Sequence, residues 1–131
     1  DGVTRNFLIT IGNTIVKQKP APLIVAFHGR TNSNTMVRQY YKLDRVTQGE
    51  AIIIYQVDFQ SDDHHVLEAV QAQADTLRDF ALFDKIVEDI GNQYCIDLDK
   101  VYVVGHSLGA WFTNSLACVR GDVIRAIGTV G

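Results

Sequence analysis

Short apolar, β-branched runs alternate along this chain with longer stretches whose apolar positions recur every three or four residues. Leu23-Ile24-Val25-Ala26-Phe27, Ala51-Ile52-Ile53-Ile54-Tyr55 and Val101-Tyr102-Val103-Val104 are continuous apolar runs, the pattern of strands buried on both faces. Ile124-Arg125-Ala126-Ile127-Gly128-Thr129-Val130 reads as a fourth such strand, and Phe7-Leu8-Ile9-Thr10-Ile11 as an earlier one that ends in the turn Gly12-Asn13. Between them lie three helical stretches. Met36 to Leu43 is short, with Tyr40, Tyr41 and Leu43 as its apolar positions. Leu77 to Tyr94 is long and amphipathic, with Leu77, Phe80, Phe83, Val87, Ile90 and Tyr94 at helical steps. Leu108 to Val119 is the third.

This alternation predicts one α/β domain over residues 1–131, a mostly parallel sheet with helices on both faces. An N-terminal hairpin is expected to add antiparallel strands at one edge. In such sheets the site lies beyond the C-terminal ends of the strands, so the residues after Phe27, Tyr55, Val104 and Val130 are expected to line it.

Gly105-His106-Ser107-Leu108-Gly109 stands at one of those ends, after a predicted strand and before a predicted helix. Gly-x-Ser-x-Gly in that context is the pattern of a nucleophile elbow, which presents Ser107 Oγ beyond the sheet. Gly105 and Gly109 are needed because a Cβ at either position would collide with the adjoining strand or helix. His106 is expected to point away from Ser107. The helix that starts at Leu108 brings free N–H groups and its positive dipole end to the serine. Ser107 is therefore the candidate catalytic nucleophile. A glycine-rich strand-to-helix turn without chemistry is the plainer alternative.

His28-Gly29-Arg30 follows the first central strand, where a second oxyanion donor is expected. The backbone N–H groups of Arg30 and Leu108 are assigned as the two donors, since acyl transfer builds negative charge on a carbonyl oxygen. His28 is read as structural, its ring tying down the loop, with Gly29 beside it.

Composition adds exclusions. Of the residues, 47% are hydrophobic and 21% charged, as in an ordinary soluble globular domain. A net charge of −3 carries no basic footprint, so nucleic acid is not an expected partner. No apolar run reaches the roughly 18 residues that would span a bilayer, so no membrane partner is expected either. No cofactor and no metal site are predicted. His64 and His65, flanked by Asp62 and Asp63, offer a nonstandard base or a metal site at the correct sheet edge, but a solvated polar loop is the favoured reading.

Several stretches in this order resemble a known family. They are Phe27-His28-Gly29-Arg30-Thr31, Ala51 to Gln56, and Asp79 to Ile86 leading to Tyr94-Cys95-Ile96-Asp97. The elbow, Ala117-Cys118 and Ala126 to Gly131 complete the series. The chain is similar to the secreted α/β-hydrolases grouped as feruloyl esterases and polyhydroxybutyrate depolymerases (the esterase D-like group). The elbow marks the superfamily, while His-Gly-Arg and Tyr-Cys-Ile-Asp are more specific to the family. The resemblance implies an α/β-hydrolase sheet and a serine carboxylesterase working through an acyl-enzyme. It also implies secretion, or a periplasmic location, and a small-molecule or polysaccharide-linked ester as substrate, often a hydroxycinnamoyl ester. A polyhydroxybutyrate depolymerase and a catalytically silent piece of such a hydrolase are the alternatives.

Two departures stand out. The family's Pro-Gln-Gly and Trp-containing loop is replaced after Tyr55 by Gln56-Val57-Asp58-Phe59, so substrate-loop assignments do not transfer. The hydrolase order is serine, acid, histidine, and no histidine follows Ser107. The chain therefore reads as the N-terminal part of a longer esterase, cut after the strand that follows the elbow helix. A serine without its base is expected to turn over poorly.

The two cysteines lie near the ends of the helices that flank the elbow strand, at the sheet edge opposite the site. That placement and the resemblance both suggest a Cys95–Cys118 disulfide, with two buried free thiols as the alternative. A loop of that length implies about 3 kcal/mol of stabilisation.

Overall fold

The structure, a computed structural model, describes residues 7–16, 18–29, 34–56 and 68–131. Five strands form one sheet in the order β1-β3-β2-β4-β5. They are β1 (Phe7–Ile11), β2 (Ala21–Phe27), β3 (Ile52–Gln56), β4 (Ile96–His106) and β5 (Ala126–Val130). The helices are α1 (Asn34–Tyr41), α2 (Leu43–Val46), α3 (Glu68–Gln93) and α4 (Leu108–Val119). The sheet with α1, α2 and α4 belongs to one compact unit, and α3 lies in a second, residues 59–94.

β2, β3, β4 and β5 are mutually parallel, and β1 runs antiparallel along β3 at the edge. The edge strand is as expected, but among the described residues no second strand pairs with it to make a hairpin. Residues 13–16 and 18–20 form no strand for β1 to fold back on, since they hold few apolar positions and end in Pro20. The turn is closed instead onto the entrance of β3. Gly12 N–H donates to Ala51 O at 3.2 Å, and Thr14 Oγ1 donates to Gly49 O at 2.6 Å.

The continuous apolar runs are buried as their composition demands. Leu23, Val25, Ile52, Ile54, Tyr55, Val101 and Val103 have no solvent exposure. Alternation sorts the strand residues onto two faces. Ala26, Ile53 and Tyr55 cluster with Val37, and Ile24, Val104 and Tyr41 pack against that cluster, so α1 covers this face. Phe27 points the other way and meets Phe112 of α4 edge-on, with centroids 4.7 Å apart and planes at 74°. α4 buries Gly109, Ala110, Thr113 and Leu116, its sheet-facing stripe.

α3 begins nine residues before the expected Leu77. Glu68 to Ala74 contains strong helix formers and no breaker, so the helix extends beyond the part where apolar periodicity is visible. Asp79, Phe83, Ile86 and Ile90 form its buried face. β5 is exposed along its whole length.

Candidate active site

The elbow forms as the motif requires. β4 ends at His106, Ser107 turns the chain and α4 starts at Leu108. Ser107 is exposed and has φ 57° and ψ −119°, a region that L-residues with a Cβ enter at a cost of about 1–3 kcal/mol. Backbone bonds on both sides hold it there. Its N–H donates to Val130 O at 2.8 Å, and its carbonyl accepts from Ala110 N at 3.0 Å and Trp111 N at 3.2 Å. No side chain caps α4, and the N–H groups of Leu108 and Gly109 precede the first intrahelical bond.

The two glycines make the turn possible. An added Cβ at Gly105 would collide with the carbonyl of Gly109 and stand 2.6 Å from Thr113 Oγ1. One at Gly109 would lie 2.6 Å from Phe27 O and 2.7 Å from His28 O. α4 thus starts in direct backbone contact with the end of β2. Thr113, fully buried, donates its hydroxyl to Gly109 O at 2.7 Å and fixes the first turn from inside.

This contact sets the first turn of α4 against the carbonyls of Phe27 and His28. His28 is buried and its Nδ1 sits 2.8 Å from Gly29 O, an acceptor only, so that nitrogen carries the proton. The ring therefore bonds the carbonyl of the next residue in its own loop. Arg30 lies outside the described residues, as do His64, His65, Asp62 and Asp63.

His106 shares the parity of Val104 and faces α1 rather than Ser107. Its ring lies 6.0 Å from that of Tyr40, tilted by 51°, and its Nδ1 is buried without a hydrogen bond. His106 is thus turned away from Ser107. Among the described residues no group of histidine, cysteine, aspartate or glutamate is arranged to hold a metal ion, and no helix is long and apolar enough to cross a membrane.

The disulfide is not formed. Cys95 is half-buried and Cys118 exposed, both as free thiols. Cys118 follows buried Leu116 by two residues, about 200° around the helix, so it points away from the sheet where the chain of Cys95 joins β4.

Two tyrosines of α1 escaped the sequence reading as site neighbours. Tyr41 donates its hydroxyl to Phe27 O at 3.2 Å, and burial, with a smaller contribution from Tyr40, pushes its pKa up to about 12. The i, i+4 spacing of Val37 and Tyr41 was the available signal for the covered side of α1.

The chain is 25% identical to a probable feruloyl esterase C of Aspergillus oryzae over 132 aligned residues, covering 96% of the chain and 46% of that protein. Feruloyl esterase C of Emericella nidulans matches over the same shares at 25% identity. The chain resembles feruloyl esterases along nearly its whole length. It spans about half the length of these curated relatives. No family model matches the sequence. Among solved structures, an acetyl xylan esterase from Aspergillus awamori superposes with a TM-score of 0.71 at 23% identity, over 92% of this chain and 44% of that one. A ferulic acid esterase from Anaeromyces mucronatus, solved with ferulic acid, gives 0.66 at 16% identity, over 92% and 48%. The chain has the α/β-hydrolase fold of these esterases.

Proposed function

We propose that this chain carries the nucleophile and oxyanion portion of a serine carboxylic-ester hydrolase of the feruloyl esterase type. The observation that carries the reading is Ser107, held at positive φ between β4 and α4 by two glycines that admit no Cβ. In the reaction, Ser107 Oγ bonds to the ester carbonyl carbon and its proton passes to a general base. The carbonyl oxygen becomes an oxyanion facing the N–H groups of Leu108 and Arg30. Collapse expels the alcohol, which takes the proton, and water then releases the acid from the acyl-enzyme.

His106 is turned toward Tyr40 and His28 Nδ1 is engaged by Gly29 O, and the base is assigned to a residue outside this pair. That fits a chain spanning 46% of its relatives, with acid and histidine in the remainder of a longer enzyme. The substrate class is a hydroxycinnamoyl ester on plant polysaccharide, met outside the cell. The names of the relatives, feruloyl esterase and acetyl xylan esterase, support the ester part of this reading.

The test is labelling of the full-length enzyme with a fluorophosphonate probe. Modification is expected at Ser107, and ester hydrolysis is expected to vanish in Ser107→Ala. Labelling at another serine, or retained turnover in the variant, would overturn the reading.

A further inference from the structure

α4 lays a stripe of Gly109, Ala110, Thr113 and Leu116 on the sheet. Thr113 is the member of that stripe with a polar side chain, and it has no solvent exposure. Valine has the same shape without the polar atom, so burial gives no reason for threonine here. Its hydroxyl donates to Gly109 O, one turn back, at 2.7 Å. A bond of this kind to the i−4 carbonyl slightly destabilises a helix, so helix stability does not explain the threonine either.

The peptide planes show where the bond leads. Gly109 C=O and Ala110 N–H are the two ends of one planar amide. Thr113 holds its carbonyl, and its N–H donates to Ser107 O at 3.0 Å. Ser107 C=O and Leu108 N–H are the two ends of the next amide. The Ser107 carbonyl also accepts from Trp111 N at 3.2 Å, so this second plane is held at two points. In a trans amide the N–H points opposite to the C=O, which aims Leu108 N–H out of the helix. The chain of donors and acceptors thus starts on the Thr113 hydroxyl and ends on Leu108 N–H. Each bond to an amide carbonyl makes the N–H of that amide a stronger donor, by roughly 10–30% per step. Gly105 leaves the hydroxyl its room, since a Cβ there would stand 2.6 Å from Thr113 Oγ1.

We propose that Thr113 is a positioning residue for ester hydrolysis, which aims and polarises Leu108 N–H through two amide planes. The inference rests on the hydrolase reading above, in which that N–H faces the oxyanion, and extends the site to a buried side chain that acts through the backbone. Turning either amide away from its present direction breaks a bond or displaces Thr113, which is packed on all sides. The donor is therefore set before the substrate arrives, as stabilisation of a developing oxyanion requires.

The experiment uses the full-length enzyme with methyl 4-hydroxycinnamate, at a temperature where circular dichroism shows each variant folded. Thr113→Val keeps the volume and removes the hydroxyl. It is expected to lower kcat about tenfold with KM within about twofold, as when an interaction made in the transition state is lost. Thr113→Ser keeps the hydroxyl and loses a buried methyl. It is expected to hold kcat within about twofold of the wild type, yet to melt below Thr113→Val, because it leaves a small cavity. Activity and stability then rank the two variants in opposite order. A kcat that follows stability, with Thr113→Ser the poorer enzyme, would show a merely structural role and overturn the proposal. So would a kcat of Thr113→Val within twofold of the wild type. Should the valine variant not fold, Thr113→Ala set against Thr113→Ser isolates the hydroxyl, and equal kcat values in that pair would overturn the proposal too. Retained turnover in Ser107→Ala would sink the hydrolase reading itself, an outcome separate from all of these.

Discussion

A Cβ built on Gly109 would stand 2.6 Å from the carbonyl oxygen of Phe27, so the first turn of α4 rests on the end of β2 without a side chain between them. The elbow turn and the end of β2 are therefore in direct backbone contact at Phe27 and His28. Gly109→Ala has backbone rather than flexible side chain to displace. It is expected to lower stability by about 1–3 kcal/mol, as overpacking does. It is also expected to cut kcat/KM at least tenfold, or about 1.4 kcal/mol of transition-state stabilisation. Urea unfolding and ester hydrolysis check the two parts. Unchanged kcat/KM would mean that this turn does not position the oxyanion donors.

Ser107 illustrates the opposing demands of stability and chemistry. Its φ of 57° suits glycine and strains serine. Ser107→Gly is expected to raise the unfolding free energy by about 1 kcal/mol while removing hydrolysis and fluorophosphonate labelling. A variant no more stable than the wild type in a urea titration would argue that the surrounding backbone bonds, rather than strain, dominate at this turn.

Alkaline stability follows from Tyr41. Burial, then the neighbouring Tyr40, raises its pKa to about 12 from the 10 of an unfolded chain. The folded protein thus holds this proton more tightly. The stabilisation is complete below pH 10 and is lost as pH rises from 10 toward 12. Tyr55 is shifted the same way, mainly by burial and secondly by Asp44. Tyr41→Phe should lower stability at neutral pH by about 1 kcal/mol through loss of the bond to Phe27 O. It should also flatten the decline between pH 10 and 12, and Tyr41→Phe/Tyr55→Phe should flatten it further. Chemical denaturation across that pH range reads both, and an undiminished slope in the double variant would refute the assignment.

The free thiols make a chemical prediction. Exposed Cys118 should be alkylated rapidly in the native protein, and half-buried Cys95 more slowly. Peptide mapping without reductant should find both modified. Recovery of a linked Cys95–Cys118 peptide would contradict the structure.

Much of this protein was already determined by short-range features of its sequence. The buried strands were legible because continuous apolar runs of four or five residues have nowhere to go but between two covered faces. The elbow was legible because sterics at Gly105 and Gly109 act across a handful of residues. The start of α3 was not, since helix formers such as Ala69 and Ala74 extend a helix without leaving an apolar stripe to count. Three matters were decided by tertiary structure alone. β1 chose β3 over a hairpin because pairing depends on which edge is open, and no local pattern reports that. Cys118 turned away from Cys95 because the rotation of α4 is set by Ala110, Thr113 and Leu116 packing on the sheet. Tyr40 and Tyr41, adjacent and chemically alike, took opposite environments because a helix rotates by about 100° per residue, and only the packed sheet determines which of the two faces it.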